Sequence, residues 1–166
     1  MRHVISILLQ NEAGALARVA SLFSTRGYNI ESLSVAPTED SDVSRLTLVS
    51  IGSDQVINQI NQQLFKLVDV VKIADMTLGD HIERELLLLK LRIPEEVGEK
   101  VLEIIAQQGA RVLDDDLANY TLELTGTGSH LDDFIERVAA TAEVLTVVCS
   151  GPLALGRGRR VLGATI

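Results

Sequence analysis

The chain reads as one six-element pattern written twice: strand, helix, strand, strand, helix, strand, and then the same order again. In the first copy the apolar run Val4 to Leu9 suits a central strand, and Leu16, Val19, Ala20 and Phe23 recur at helical spacing. Gly27 is placed to end that helix in a left-handed conformation. Ile30 to Ala36 reads as the second strand, closed by the turn signal Pro37-Thr38-Glu39-Asp40, and Leu46 to Ile51 as the third. Ser53 is the expected N-cap of a helix with the stripe Val56, Ile57, Ile60, Leu64 and Leu67; Val70 to Ala74 is the fourth strand.

Gly79-Asp80-His81 marks the expected boundary, and the cycle restarts with a strand over Leu86 to Ile93. Pro94 suits the first turn of the next helix, whose stripe is Val97, Val101, Ile104 and Ile105 and whose end is Gly109. A short strand from Arg111 to Leu113 turns through Asp114-Asp115-Asp116 into the alternating strand of Tyr120, Leu122 and Leu124. Ser129 with Asp132 resembles a capping box ahead of Leu131, Phe134, Ile135 and Val138, and Val144 to Cys149 closes the unit. The order βαββαβ predicts an α+β protein of two tandem ferredoxin-like domains, residues 1–78 and 79–166, each an antiparallel sheet with both helices on one face.

At 166 residues, two units of this size are each small, and aromatics make up only 3% against 46% apolar residues, so both cores must be aliphatic. With no disulfide or metal site to reinforce them, a homo-oligomer is expected, a dimer joined sheet edge to sheet edge or face to face. Cys149 is the single cysteine and is expected to be a buried, inert thiol. Met1-Arg2-His3-Val4 runs directly into a strand and no apolar stretch is long enough to span a bilayer, so a cytoplasmic protein is expected. The net charge of −8 argues against a polyanion-binding protein, with Arg157, Arg159 and Arg160 as a small basic tail. RNA-binding domains of the same element order stack bases on strand aromatics, which these aliphatic strands lack. An acylphosphatase-type enzyme would need an Arg in the first strand-to-helix loop, where this chain has Glu12 and no cation before Arg18.

The one turn with ligand-binding chemistry is Asn11-Glu12-Ala13-Gly14-Ala15, before the first helix. Gly14 lets a ligand approach the backbone, the N–H groups of Gly14, Ala15 and Leu16 are orphan donors at a helix start, and Asn11 adds a donor and an acceptor. On another wall, Asn29 offers a polar anchor while Ile30 and Ala36 can line a small aliphatic pocket. Ordinary loop chemistry explains the same residues, since Asn and Gly are common in turns. Asp114, Asp115 and Asp116 lack the spacing of a calcium loop and read as a solvated turn, and His3, His81 and His130 are isolated, so no catalytic or metal role is expected.

The run Ser24-Thr25-Arg26-Gly27-Tyr28-Asn29-Ile30-Glu31-Ser32-Leu33-Ser34-Val35-Ala36-Pro37-Thr38 resembles the regulatory small subunits of acetolactate synthase. Residues 6–19, with Gln10-Asn11-Glu12-Ala13-Gly14-Ala15-Leu16, resemble the opening of the same family, and Ser44-Arg45-Leu46-Thr47, Leu67-Val68-Asp69-Val70, Glu83-Arg84-Glu85-Leu86 and Ser150-Gly151-Pro152 continue the likeness. The resemblance implies an amino-acid-sensing ACT domain followed by an ACT-like domain, without an active site or cofactor of its own. It implies a partner, the large catalytic subunit, carrying thiamine diphosphate, Mg²⁺ and FAD. That enzyme condenses pyruvate with pyruvate or 2-oxobutanoate on the route to branched-chain amino acids. The small subunit of such an enzyme raises its activity and confers feedback inhibition by a branched-chain amino acid, usually valine. Carried onto this sequence, the effector site falls on Asn11, Gly14, Ala15 and Leu16 of one protomer with Asn29 and Ile30 of the other, and Ala36 on the aliphatic wall. The alternative is an ACT-domain sensor serving another biosynthetic enzyme.

Overall fold

The computed structural model describes residues 1–159, 162 and 163. Two compact units are present, Met1–Ile82 together with the segment from Pro152, and Glu83–Gly151. In the first unit β1 (Arg2–Gln10), α1 (Ala15–Thr25), β2 (Ser32–Pro37), β3 (Val43–Ile51), α2 (Asp54–Leu64) and β4 (Val70–Asp75) follow the expected order. The sheet is antiparallel throughout, in the order β2-β3-β1-β4, so β2 is an edge strand.

Alternation along β1 decides which residues meet the helices. Ile5, Ile7 and Leu9 pack with Leu46 and Leu48 of β3, with Val19, Leu22 and Phe23 of α1, and with Ile57, Ile60 and Leu64 of α2. Ser53 caps α2 as expected, its side chain accepting from the Val56 N–H at 3.3 Å, and Asp54 in the first turn complements the helix dipole. Gly27 adopts φ 69° just past α1, a left-handed conformation that suits glycine and stops the helix.

The opposite face of this sheet is covered by the end of the chain. Val4 and Val49 pack with Ala154 and Met76, while Leu8 and Val43 pack with Leu162. Arg45 donates to the Leu162 carbonyl and Lys72 to that of Gly163 at 3.2 Å. The last strand, which periodicity does not reveal, is Leu153–Gly156 (β9 in chain order); the Arg157 N–H donates to the Asp80 carbonyl at 3.1 Å. The expected division at residue 79 put this whole stretch in the second domain. In the structure the described apolar residues Ala154 and Leu162 of this stretch pack on the first unit. Arg160, part of the expected basic tail, lies outside the described residues.

The second unit repeats the plan with β5 (His81–Arg92), α3 (Gly98–Gln107), β6 (Arg111–Asp114), β7 (Tyr120–Gly126), α4 (Gly128–Ala139) and β8 (Glu143–Cys149); the first two residues of β5 fall in the first unit. Strand order is β6-β7-β5-β8. Leu87, Leu89 and Leu91 of β5 form the core with Val101, Ile105, Leu122, Leu124, Leu131, Phe134 and Val138. Two local expectations are corrected. The cap of α4 is Thr127, whose hydroxyl accepts from the His130 N–H at 3.4 Å, so the helix starts two residues before the expected Ser129 cap would allow. Pro94 precedes a 3₁₀ turn, Glu95–Val97, and α3 begins only at Gly98.

Candidate functional site

Gly14 is the N-cap of α1 and sits at φ 90°, ψ −14°, a region that side-chain-bearing residues enter only with strain. No side chain caps the helix start. Of the three backbone donors expected there, that of Ala15 is taken by the Glu12 carbonyl at 3.2 Å, so the offer to a ligand comes down to Gly14 and Leu16. Ala15 is buried and Leu16 is 39% exposed. Asn11 holds its own turn to the β2–β3 connection: its N–H donates to the Asp42 carbonyl at 2.7 Å and its Nδ2 to that of Ser41 at 2.8 Å. Its Oδ1 accepts no hydrogen bond among the described residues.

The other expected residues occupy different ground. Asn29 and Ile30 precede β2, which begins at Ser32 and not at Ile30. Asn29 is exposed and donates through Nδ2 to Glu31 at 3.1 Å, while Ile30 is half-buried against the core of the first unit. Ala36 is exposed near the far end of β2, paired with Arg45 of β3. The 11 residues of α1 span roughly 16 Å at 1.5 Å each. Within one chain, therefore, Asn11, Gly14 and Leu16 lie at one end of α1, and Asn29 and Ile30 at the other.

Sequence reading missed a feature of this turn. Arg18, one turn into α1, grips Asp69 with two hydrogen bonds, Nε to Oδ2 at 2.5 Å and Nη2 to Oδ1 at 2.7 Å. Asp69 is 3% exposed, and its backbone carbonyl also accepts from the Gln10 N–H at 2.8 Å. One residue thus fixes both sides of the turn. The hydrogen bonds from Arg18 hold the Asp69 carboxyl below its ordinary range, against the opposing effect of burial and helped by the charge of Arg18. A lowered folded value means that the pair supports folding above about pH 4, the ordinary range for Asp, and that this support is lost as pH falls through the lower folded value. Urea midpoints measured between pH 6 and 2.5 should fall with acid in the wild type, and Asp69→Asn should flatten that fall. Equal acid slopes in the two proteins would contradict this account.

Cys149 is exposed at the last position of β8, an edge of the strand path, which corrects its expected burial. Its thiol is nonetheless pushed up, by partial desolvation first and then by the carboxylates of Glu85 and Asp132, which makes it a poor nucleophile. Asp116 is spent on its own turn, accepting from the Ala118 N–H and the Asn119 amide. Among the described residues no cluster of His, Cys, Asp or Glu could hold a metal ion, and no helix is long and apolar enough to cross a membrane.

Residues 5–72 match the family described as the acetolactate synthase small-subunit-like ACT domain, and residues 84–158 match the family described as the small subunit of acetolactate synthase. The small subunit of Escherichia coli acetolactate synthase isozyme 3 is 41% identical, the match covering 98% of this chain and 99% of that one. The chain belongs to the acetolactate synthase small-subunit family. The Mycolicibacterium smegmatis family member is 38% identical, over 98% of this chain and 95% of its own. The crystal structure of the small subunit from Thermotoga maritima superposes with a TM-score of 0.84 at 30% identity, over 96% of this chain and 99% of that one. Family membership and the two sheets agree on the tandem ferredoxin-like architecture, with an ACT domain first.

Proposed function

We propose that this chain is the regulatory subunit of a cytoplasmic acetolactate synthase. It binds the large catalytic subunit, raises its activity, and makes it subject to feedback inhibition by a branched-chain amino acid, valine foremost. The chain itself is non-catalytic, and thiamine diphosphate, Mg²⁺ and FAD belong to the large subunit. The names of the relatives favour this reading over a sensor for another enzyme.

The observation that carries the effector site is the separation of its halves by the length of α1. Asn11, Gly14 and Leu16 cannot meet Asn29 and Ile30 in one protomer. A two-fold dimer pairing β2 edge to β2 edge would lay the start of one β2 against the end of its partner's. It would thereby bring the Asn29 end of one protomer toward the Ala36 and Gly14 end of the other. The turn amides then take the effector carboxylate, Asn29 anchors a polar group, and Ile30 and Ala36 line the wall for the aliphatic side chain. An effector that binds one dimer arrangement better than another shifts the population, and the catalytic subunit responds. A coupling of about 1–3 kcal/mol would be typical.

Titration calorimetry with valine, with isoleucine, leucine and lysine as comparators, tests this reading, run first on the chain alone and then with the catalytic subunit. Saturable binding of valine and silence toward lysine support it; silence toward every branched-chain amino acid in both settings ends it. Asn29→Ala should weaken valine binding by about 0.5–3 kcal/mol through loss of one hydrogen-bond partner. Because the Asn29 side chain is exposed, the thermal midpoint should stay where it is. Unchanged affinity in this variant would remove Asn29 from the site.

A further inference from the structure

We infer that Arg18 reads the carboxylate of the effector; this rests on the effector site proposed above and names its charged partner. Asp69 occupies Nε and Nη2 of the guanidinium and leaves Nη1 without a hydrogen bond among the described residues. That free nitrogen is aimed at the turn: a Cβ on Gly14 would lie only 2.8 Å from it. Arg18 is 46% exposed, so the free edge is open to solvent while its other edge is locked by a buried carboxylate.

A preset guanidinium costs little entropy when it binds, and although Asp69 offsets its net charge, its free N–H edge adds a charge-assisted donor to the partial charge of the helix start. The charges acting on Arg18 are those of Asp69 and exposed Glu12. With Asp69 spent on the clamp, the turn offers a cation from Arg18 and an anion from Glu12, a match for the two ends of an α-amino acid zwitterion. Glycine is required at position 14 on this account for a second reason: any side chain there would meet Arg18 where the ligand should.

The test compares valine with valinamide, in which an amide replaces the carboxylate, as inhibitors of the reconstituted holoenzyme. Wild type should prefer valine by roughly 10- to 100-fold, the range of one charge-assisted hydrogen bond. Arg18→Met should lower the affinity for valine at least about tenfold, leaving only the preference that the turn amides supply, and leave valinamide unchanged. A purely structural role would weaken both ligands alike. Arg18→Met leaves Asp69 without its partner, so the paired variant Arg18→Gln with Asp69→Asn, which restores a neutral hydrogen-bonding pair, repeats the comparison in a fold-preserving background. A valine preference reduced at least about tenfold in either folded variant supports the assignment; an undiminished preference in the folded variants overturns it. Absence of valine binding in the wild type would instead overturn the effector site itself, so the two failures are distinct.

Discussion

Gly14→Asp is expected to leave the reconstituted synthase active and activated by this subunit but insensitive to valine. The new carboxylate would stand where the ligand's carboxylate belongs, beside Arg18 Nη1, and would pair with that cation from within the chain. The backbone also resists the change, since φ 90° suits glycine, although Asp tolerates the left-handed region better than most residues. The stability cost should be about 1 kcal/mol. Inhibition curves should therefore shift by at least about tenfold, equivalent to about 1.4 kcal/mol of lost binding, while urea unfolding changes little. Gly14→Ala separates the causes, because it carries the strain and the Cβ contact with Arg18 without the charge. A Gly14→Asp enzyme with wild-type valine inhibition would show that this turn does not hold the effector.

Phe134→Ala should destabilise the second unit by about 3–5 kcal/mol. Phe134 is 1% exposed and packs among Leu87, Leu89, Leu91 and Val138 in a core with few other aromatic rings, so its removal opens a cavity that aliphatic neighbours fill poorly. Small domains have only about 5–15 kcal/mol to lose. The loss should be visible as a lower urea midpoint for the signal of Tyr120, which is buried in that core. A change under 1 kcal/mol would mean that the core repacks around the gap.

Much of this fold is legible because periodicity and glycine placement agree. Helical spacing of Ile57, Ile60 and Leu64 and two-residue alternation in β7 report packing that the structure repeats. Gly27 and Gly109 mark helix ends because a left-handed residue is needed at both, at φ 69° and 67°. The misreadings have physical causes. Thr127 and Ser129 are both capping types, and only the backbone decides which one meets an open N–H. The strand at Leu153–Gly156 is too short to show a period. In the candidate site, Gly14 is legible as a turn glycine, whereas the Arg18–Asp69 clamp is not. Its partners are 51 residues apart, and nothing local to either announces the other.

The return of the chain end to the first unit makes the second unit, in topological terms, an insertion: residues 83–151 are spelled out between two parts of one body. During synthesis on the ribosome, β1 to β4 emerge first, yet Val4, Leu8, Val43 and Val49 must wait for Ala154 and Leu162 before one face of their sheet is covered. For most of translation the apolar positions of that face, which alternate with Ser6, Arg45 and Thr47, are bare, a transient surface for chaperones or for another nascent chain. Cutting the gene at the boundary suggested by the repeat would make that exposure permanent. A faithful dissection would instead join residue 82 to residue 152 through a short linker and keep the first unit whole.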